Sequence, residues 1–458
     1  MERTGPEASR PRQPTSLLGR PDRLPRWDVL ELHLDEAAFL FTQWERALES
    51  ATRDLQGVSA GVEQRLRAHL DALALAGPRV AERLLLPALA GDEPEYIRAA
   101  GVALLRTGEP ARVEAVVQTL IEGEPTSRQE VQRALQLEWR EDLPERLQPL
   151  LSTAEPPVQE AVLDVLGFHR IPPGVRLSEW MTRAGEPTLQ AAALRAASFS
   201  GAEEVAAPVL RELLQSPEVK VREAALVLGL MRGQRMAWQA CQQQAEARDG
   251  TGRLARLLLA LGGEDKDVER LVELLQVPEL RADVLWVLGF SGRLAAAEAC
   301  LPWMRDEALA GLAAEAFCSI VGLKLEGALV GQREERDEEQ VPLEEDLTRD
   351  LRPKEEDALP PPNPEAVESW WAKARKGFES TGRYLGGKRF GPESLSKALL
   401  EAPMRRRPPL ALELAIRSQG RSVVEVRTWA RVQWERLSAT PGGQGRLPAQ
   451  PFAAWMKA

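Results

Sequence analysis

The sequence predicts an all-α fold: an α-solenoid of about seven stacked helix pairs, with an N-terminal helical cap and a small, mainly helical C-terminal module. Three observations predict it. Prolines recur at Pro94, Pro125, Pro156, Pro187, Pro217 and Pro278, in steps of 31, 31, 31, 30 and 61 residues, the last being two periods with one proline missing. Glycines keep the same register, with Gly167, Gly229 and Gly289 lying 62 and 60 residues apart. Between these anchors the apolar residues fall at helical spacing. Leu271, Val272, Leu274 and Leu275 form one stripe, while Glu269, Arg270 and Glu273 lie opposite.

Taken in order, residues 1–26 carry five prolines and six arginines and no apolar run, so they read as a disordered lead and not a secretory signal. Leu30–Ser50 and Ala51–Leu75 read as two helices. Within residues 27–89 they form the cap that hides the apolar end of the first repeat. The solenoid itself spans 90–325. Its first helices open at Glu93-Pro94, Glu124-Pro125, Glu155-Pro156, Glu186-Pro187, Ser216-Pro217 and Val277-Pro278, because proline is tolerated in a first turn whose N–H groups have no helical partner. Gly167, Gly229 and Gly289 then read as left-handed C-terminal caps. A second amphipathic run closes each unit, as in Val205–Leu214 and Val268–Leu275.

The unit from Pro217 to Gly229, with its Val221-Arg222 and Ala224-Ala225 core, resembles the short bacterial form of the HEAT repeat. Arg222 holds that repeat's typical arginine position. Arg98, Arg128 and Arg281 fall within two residues of the same offset from their prolines, and Gln159 and Gln190 depart from the arginine pattern.

Charge divides the rest of the chain. Residues 333–357 sum to net −7 and, with Pro360-Pro361-Pro362, make 326–362 an extended acidic linker. Residues 358–458 sum to net +9. Asn363-Pro364-Glu365 starts a helix through Trp370-Trp371 to Lys376, and further helices are expected over Glu393–Leu400 and Pro409–Arg417 of a basic module at 363–440. Residues 422–437 stay open between strand and helix. Residues 441–458 read as a flexible tail, although Phe452, Trp455 and Met456 also suit a short docking peptide.

Trp370-Trp371, Gly382-Arg-Tyr-Leu-Gly386 and Ala411-Leu-Glu-Leu-Ala415, behind repeats ending Glu315-Ala-Phe-Cys-Ser-Ile-Val-Gly322, resemble a family of uncharacterised proteobacterial HEAT-repeat proteins across Val29 to Leu437. The resemblance implies an alternative role as adaptor, chaperone or immunity-type partner of a secreted bacterial effector.

No catalytic constellation, metal site or cofactor motif emerges from the residues. His33, His69 and His169 are followed by Leu34, Leu70 and Arg170, so the paired His-Glu iron motif of helical-repeat hydroxylases is not formed. Gly382 to Lys388 has the spacing of a phosphate-binding loop, but Arg389 follows where Ser or Thr would hold magnesium, and the segment reads as a basic turn. Residues 27–332 sum to net −15, which argues against a nucleic-acid groove. Cys241, Cys300 and Cys318 form no CxxC and suit a reducing cytoplasm. No apolar run is long enough to span a membrane.

These readings converge on a non-enzymatic scaffold or adaptor that binds a protein or peptide on the concave face of the solenoid. Trp180, Arg211, Trp238 and Trp303, on second helices, are its candidate binding residues, since Trp and Arg dominate interface energies. Lys388, Arg389, Arg405, Arg406 and Arg407 form a candidate basic patch for an anion or nucleic acid.

Overall fold

The computed structural model describes residues 25–175, 177–183, 185–200, 205–332, 354–439 and 447–457. The chain divides into two compact units, residues 1–44 with 62–149 and residues 45–61 with 150–458. The fold is all-helical, with one two-stranded hairpin. Among the described residues no helix is long and apolar enough to cross a membrane. Residues 1–24 of the expected lead and 333–353 of the expected linker lie outside the described residues.

In the first unit, the helix Gln64–Leu75 packs on Pro94–Thr107, which packs in turn on Pro125–Leu137. Each repeat helix begins at its proline, where the ring fits the first turn. Phe41, Trp44, Leu66, Leu70, Ile97 and Leu104 make the core. Trp44 donates its indole N–H to the buried Glu63 carboxylate at 2.8 Å, and Arg98 joins Glu130 of the next repeat at 2.5 Å. His33 and His69, 36 residues apart in sequence, meet with their Nδ1 atoms 2.9 Å apart.

In the second unit the first helices Pro156–His169, Pro187–Ser200, Val219–Met231, Arg253–Gly262, Arg281–Ser291 and Ala310–Val321 pack successively on one another. One hydrogen bond recurs in both units. The side chain at the repeat's arginine position donates to a carbonyl at the end of the preceding second helix. Arg128 donates to Leu120 at 3.0 Å, Arg222 to Ser216 at 2.7 Å, and Arg281 to Leu275 at 3.1 Å. Gln159 and Gln190 do the same to Leu151 and Met181, at 3.1 and 3.3 Å, so the two departures from the repeat pattern keep its function. Arg256 fills the position in the repeat that lacks a proline, donating to Ala247 at 2.7 Å. These bonds satisfy last-turn carbonyls that have no partner within their helix.

The three anchoring glycines are not the caps that the sequence suggests. Gly167, Gly229 and Gly289 lie inside their helices. A Cβ on Gly229 would stand 2.5 Å from the Ala237 Cβ, and one on Gly289 would stand 2.8 Å from the Ala316 Cα, so close helix approach requires them. Pro156–His169 and Arg281–Ser291 end instead on the left-handed residues Arg170 and Gly292.

The C-terminal segment is built into this same unit. Helices span Pro364–Ala374, Pro392–Glu401, Arg407–Arg417 and Ala430–Ser438, which resolves the open stretch as loop followed by helix. Gly382 to Arg389 forms a hairpin, with Tyr384 opposite Arg389 and a Gly386-Gly387 turn at φ 58° and 74°. The turn amides of Gly386 and Gly387 donate to Ser319 and Ile320 at 2.8 and 2.9 Å. The loop that matched phosphate-binding spacing therefore caps the helix Ala310–Val321.

Three arginines, two of them buried, extend this capping. Arg383 donates to Phe290 and Ser291, Arg406 to Gly289, and Arg417 to Leu261, at 3.0–3.1 Å. Glu413, fully buried, accepts from Arg383 at 2.5 and 3.1 Å and from Arg417 at 2.7 Å. Cys241 and Cys300 are buried core residues, and burial pushes the Cys300 thiol up to about 12.

Two predictions follow from these buried groups. Glu413→Gln leaves Arg383 and Arg417 without their shared carboxylate. It should lower stability by about 3–5 kcal/mol in urea denaturation. Only one of the two facing His Nδ1 atoms can carry a proton, and burial, then the His33 charge, holds the His69 pKa below its ordinary value. A lowered base binds fewer protons folded than unfolded. Its contribution is therefore full above the ordinary histidine pKa and lost as pH falls through the lowered one. The urea midpoint should drop from pH 7.5 to pH 5.5, and His69→Gln should remove part of that drop.

A candidate peptide-binding groove

The groove lies within the second unit, where the helices Val219–Met231, Arg235–Gln244, Arg253–Gly262 and Arg407–Arg417 converge on residues 448–457. The expected flexible tail is anchored here. Phe452 is fully buried and Met456 nearly so. The Phe452 ring meets Trp238 edge-on at 5.6 Å and lies 5.0 Å from the Arg417 guanidinium. It fits because residue 262 is glycine. A Cβ there would stand 2.1 Å from Phe452 Cδ2. Trp455 packs edge-on against Phe452 at 5.8 Å.

Main-chain bonds hold both ends of the segment. Lys457 N–H donates to Gly233 at 2.8 Å, and the free first-turn N–H of Arg235 donates to Lys457 at 2.9 Å, making a short parallel bridge beside Gln234. Upstream, Arg417 Nη1 donates to Pro448 and Gln450 at 2.6 and 2.8 Å. Burial pulls the Arg417 guanidinium down to about 10, which leaves it cationic at neutral pH. The segment is thus held through its backbone at both ends and by one aromatic pocket between them, where Phe452–Ala454 makes a 3-10 turn.

Of the four expected binding residues, only Trp238 belongs to this groove, and its ring is buried beneath Phe452. Trp303 is half-buried under the Arg281 guanidinium, 4.9 Å from its ring centroid. Trp180 is half-buried on the short helix Ser178–Met181, and Arg211 is exposed on Ala207–Leu214. The sequence does not single out Gly233, Gly262 and Arg417, which line the groove with Trp238. Their signal was the aromatic end of the chain, which needed a complementary pocket.

The expected basic patch is dismantled. Lys388 and Arg389 are exposed on the hairpin, where Arg389 pairs with Glu379 at 2.6 Å. Arg405 is bound bidentately by Glu315. Arg406 lies 4.0 and 5.1 Å from the Phe290 and Trp286 ring centroids, and Arg407 donates to Gln433 at 2.6 Å. The arginine triplet is buried because it serves internal carbonyls, rings and carboxylates, so it presents no surface to an anionic partner. Among the described residues no group of three or more His, Cys, Asp or Glu could hold a metal ion.

No family model and no curated protein match the chain. Among solved structures it matches human deoxyhypusine hydroxylase in complex with glycerol, at 17% identity and a TM-score of 0.21, covering 64% of this chain and 98% of that one. The matched protein is an enzyme, and the expectation of a non-enzymatic chain is withdrawn on that finding. A likeness of this size assigns no activity in turn.

The groove yields one prediction. Gly262→Ala should expel Phe452 and free the segment from 448 onward. Limited proteolysis should then cut near residue 450 at least tenfold faster than in the wild type, by analogy with the cost of overpacking a tight contact (about 1–3 kcal/mol).

Proposed function

We propose that the chain works by binding a partner protein through a short, aromatic-anchored segment, and that the groove around Trp238 is where it does so. One observation carries the reading: a peptide of this chemistry, the chain's own residues 448–457, is seated there, with Phe452 as anchor and both backbone ends hydrogen-bonded. A partner segment that offers an aromatic side chain between two carbonyls competes for the same contacts. The tethered tail acts as an internal competitor. A short tether gives an effective concentration on the order of millimolar, so a partner has to bind well or arrive with additional contacts. Three free thiols support the reading that this work is done in a reducing compartment such as the cytoplasm. The resemblance to proteobacterial HEAT-repeat proteins supports the narrower reading that the partner is a secreted effector.

The test uses full-length protein carrying Phe452→Ala, which weakens the internal competitor, and a fluorescent peptide with the sequence of residues 447–458. The peptide should bind this variant saturably and bind the wild type roughly tenfold more weakly. Adding Trp238→Ala should abolish binding. In native extract, a protein retained by the variant and eluted by the unlabelled peptide identifies the partner. A peptide that fails to bind Phe452→Ala, or binds wild type equally, overturns the reading.

A further inference from the structure

A second cavity of the same unit is distinct from the groove. It encloses about 730 Å³ between the helix Ala310–Val321, the strand-like run 323–325, residues 359–360, the hairpin and the helix Pro392–Glu401. Leu323, Leu325, Leu359, Leu385 and Leu410 give it apolar walls. Its charged groups are unbalanced. Lys324, Lys388, Lys397 and Arg406 face Glu315 and Glu401, an excess of two positive charges.

Behind the wall Arg405 and Arg406 are balanced by Glu315 and Glu356, so the excess rests on the lysines. Glu315 is shared: it binds Arg405 bidentately and stands 3.8 Å from Arg406 Nη1, which is buried without a hydrogen-bond partner. At the mouth, Lys397 is paired with Glu401 at 3.4 Å, and the Lys388 side chain is exposed on the hairpin. Cys318, also in the wall, stays a neutral thiol because burial pushes it up to about 12. It therefore adds no negative charge. Apolar walls with a few polar groups, in a volume of several hundred cubic ångströms, are the make-up of a small-molecule site. A net cationic lining selects an anionic head.

We propose that this cavity binds an amphipathic monocarboxylate of medium chain length. Its hydrocarbon chain lies along the leucine walls, and its carboxylate sits in the field of Lys324, Lys388 and Lys397.

Isothermal titration of the full-length protein with decanoate, and with decanol as the same chain without the charge, tests this. Decanoate should bind saturably and decanol about tenfold more weakly. Ala398→Trp, which fills the cavity from a half-buried wall position, should abolish both. The double variant Lys388→Glu and Lys397→Glu changes only exposed side chains and should weaken decanoate while leaving decanol unchanged. Phe452→Ala should leave decanoate binding intact, which separates this site from the peptide groove. No saturable decanoate binding, binding that Ala398→Trp leaves unchanged, or equal affinity for decanoate and decanol overturns the proposal.

Discussion

The second unit depends on buried guanidiniums placed at the open ends of helices. An α-helix leaves its last four carbonyls without internal partners, and its C-terminal end carries partial negative charge. Here the ends of Arg253–Gly262, Arg281–Ser291 and Ala310–Val321 are met by Arg417, by Arg383 with Arg406, and by the Gly386-Gly387 turn. Each of these donors is distant in sequence from the helix it serves. The C-terminal segment is consequently a covering layer of the repeat helices and not an appended module. Burying a guanidinium is costly unless carboxylates and carbonyls surround it. That requirement explains why Glu413 and Glu315 are buried beside them.

The same device recurs at smaller scale inside the repeats. Arg128, Gln159, Gln190, Arg222, Arg256 and Arg281 each bridge a first helix to the end of the second helix before it. Charge is not the property being kept, since glutamine serves as well as arginine. What the position needs is a long side chain ending in an N–H donor. The donor near the start of each of these first helices fixes how it joins the helix before it.

Arg417 joins the architecture to the proposed function. One guanidinium caps Leu261, pairs with Glu413, holds the carbonyls of Pro448 and Gln450, and lies over the Phe452 ring. The floor of the groove is therefore part of the rigid capping layer. A peptide seated there meets groups already fixed in place, which reduces the ordering cost of binding.

The sequence by itself determined the helical class, the repeat period, the helices that start at Pro94, Pro125, Pro156 and Pro187, and three of the four helices of the C-terminal segment. Each of these is written locally, in first-turn chemistry and in the spacing of apolar residues. Its local reading went astray where a residue's partner is remote. Gly167, Gly229 and Gly289 looked like caps, because a glycine near a helix end is read that way until the helix is seen to continue past it. Arg405, Arg406 and Arg407 looked like a surface patch, because adjacency in sequence says nothing about burial. The tail looked loose because Gly233, Trp238, Gly262 and Arg417, which receive it, are dispersed over nearly two hundred residues. The His33–His69 contact had no sequence signal at all. Only the tertiary structure could decide these points. The energy of a buried polar or close-packed group is set by what surrounds it in space, and those surroundings are assembled from segments that share no local pattern.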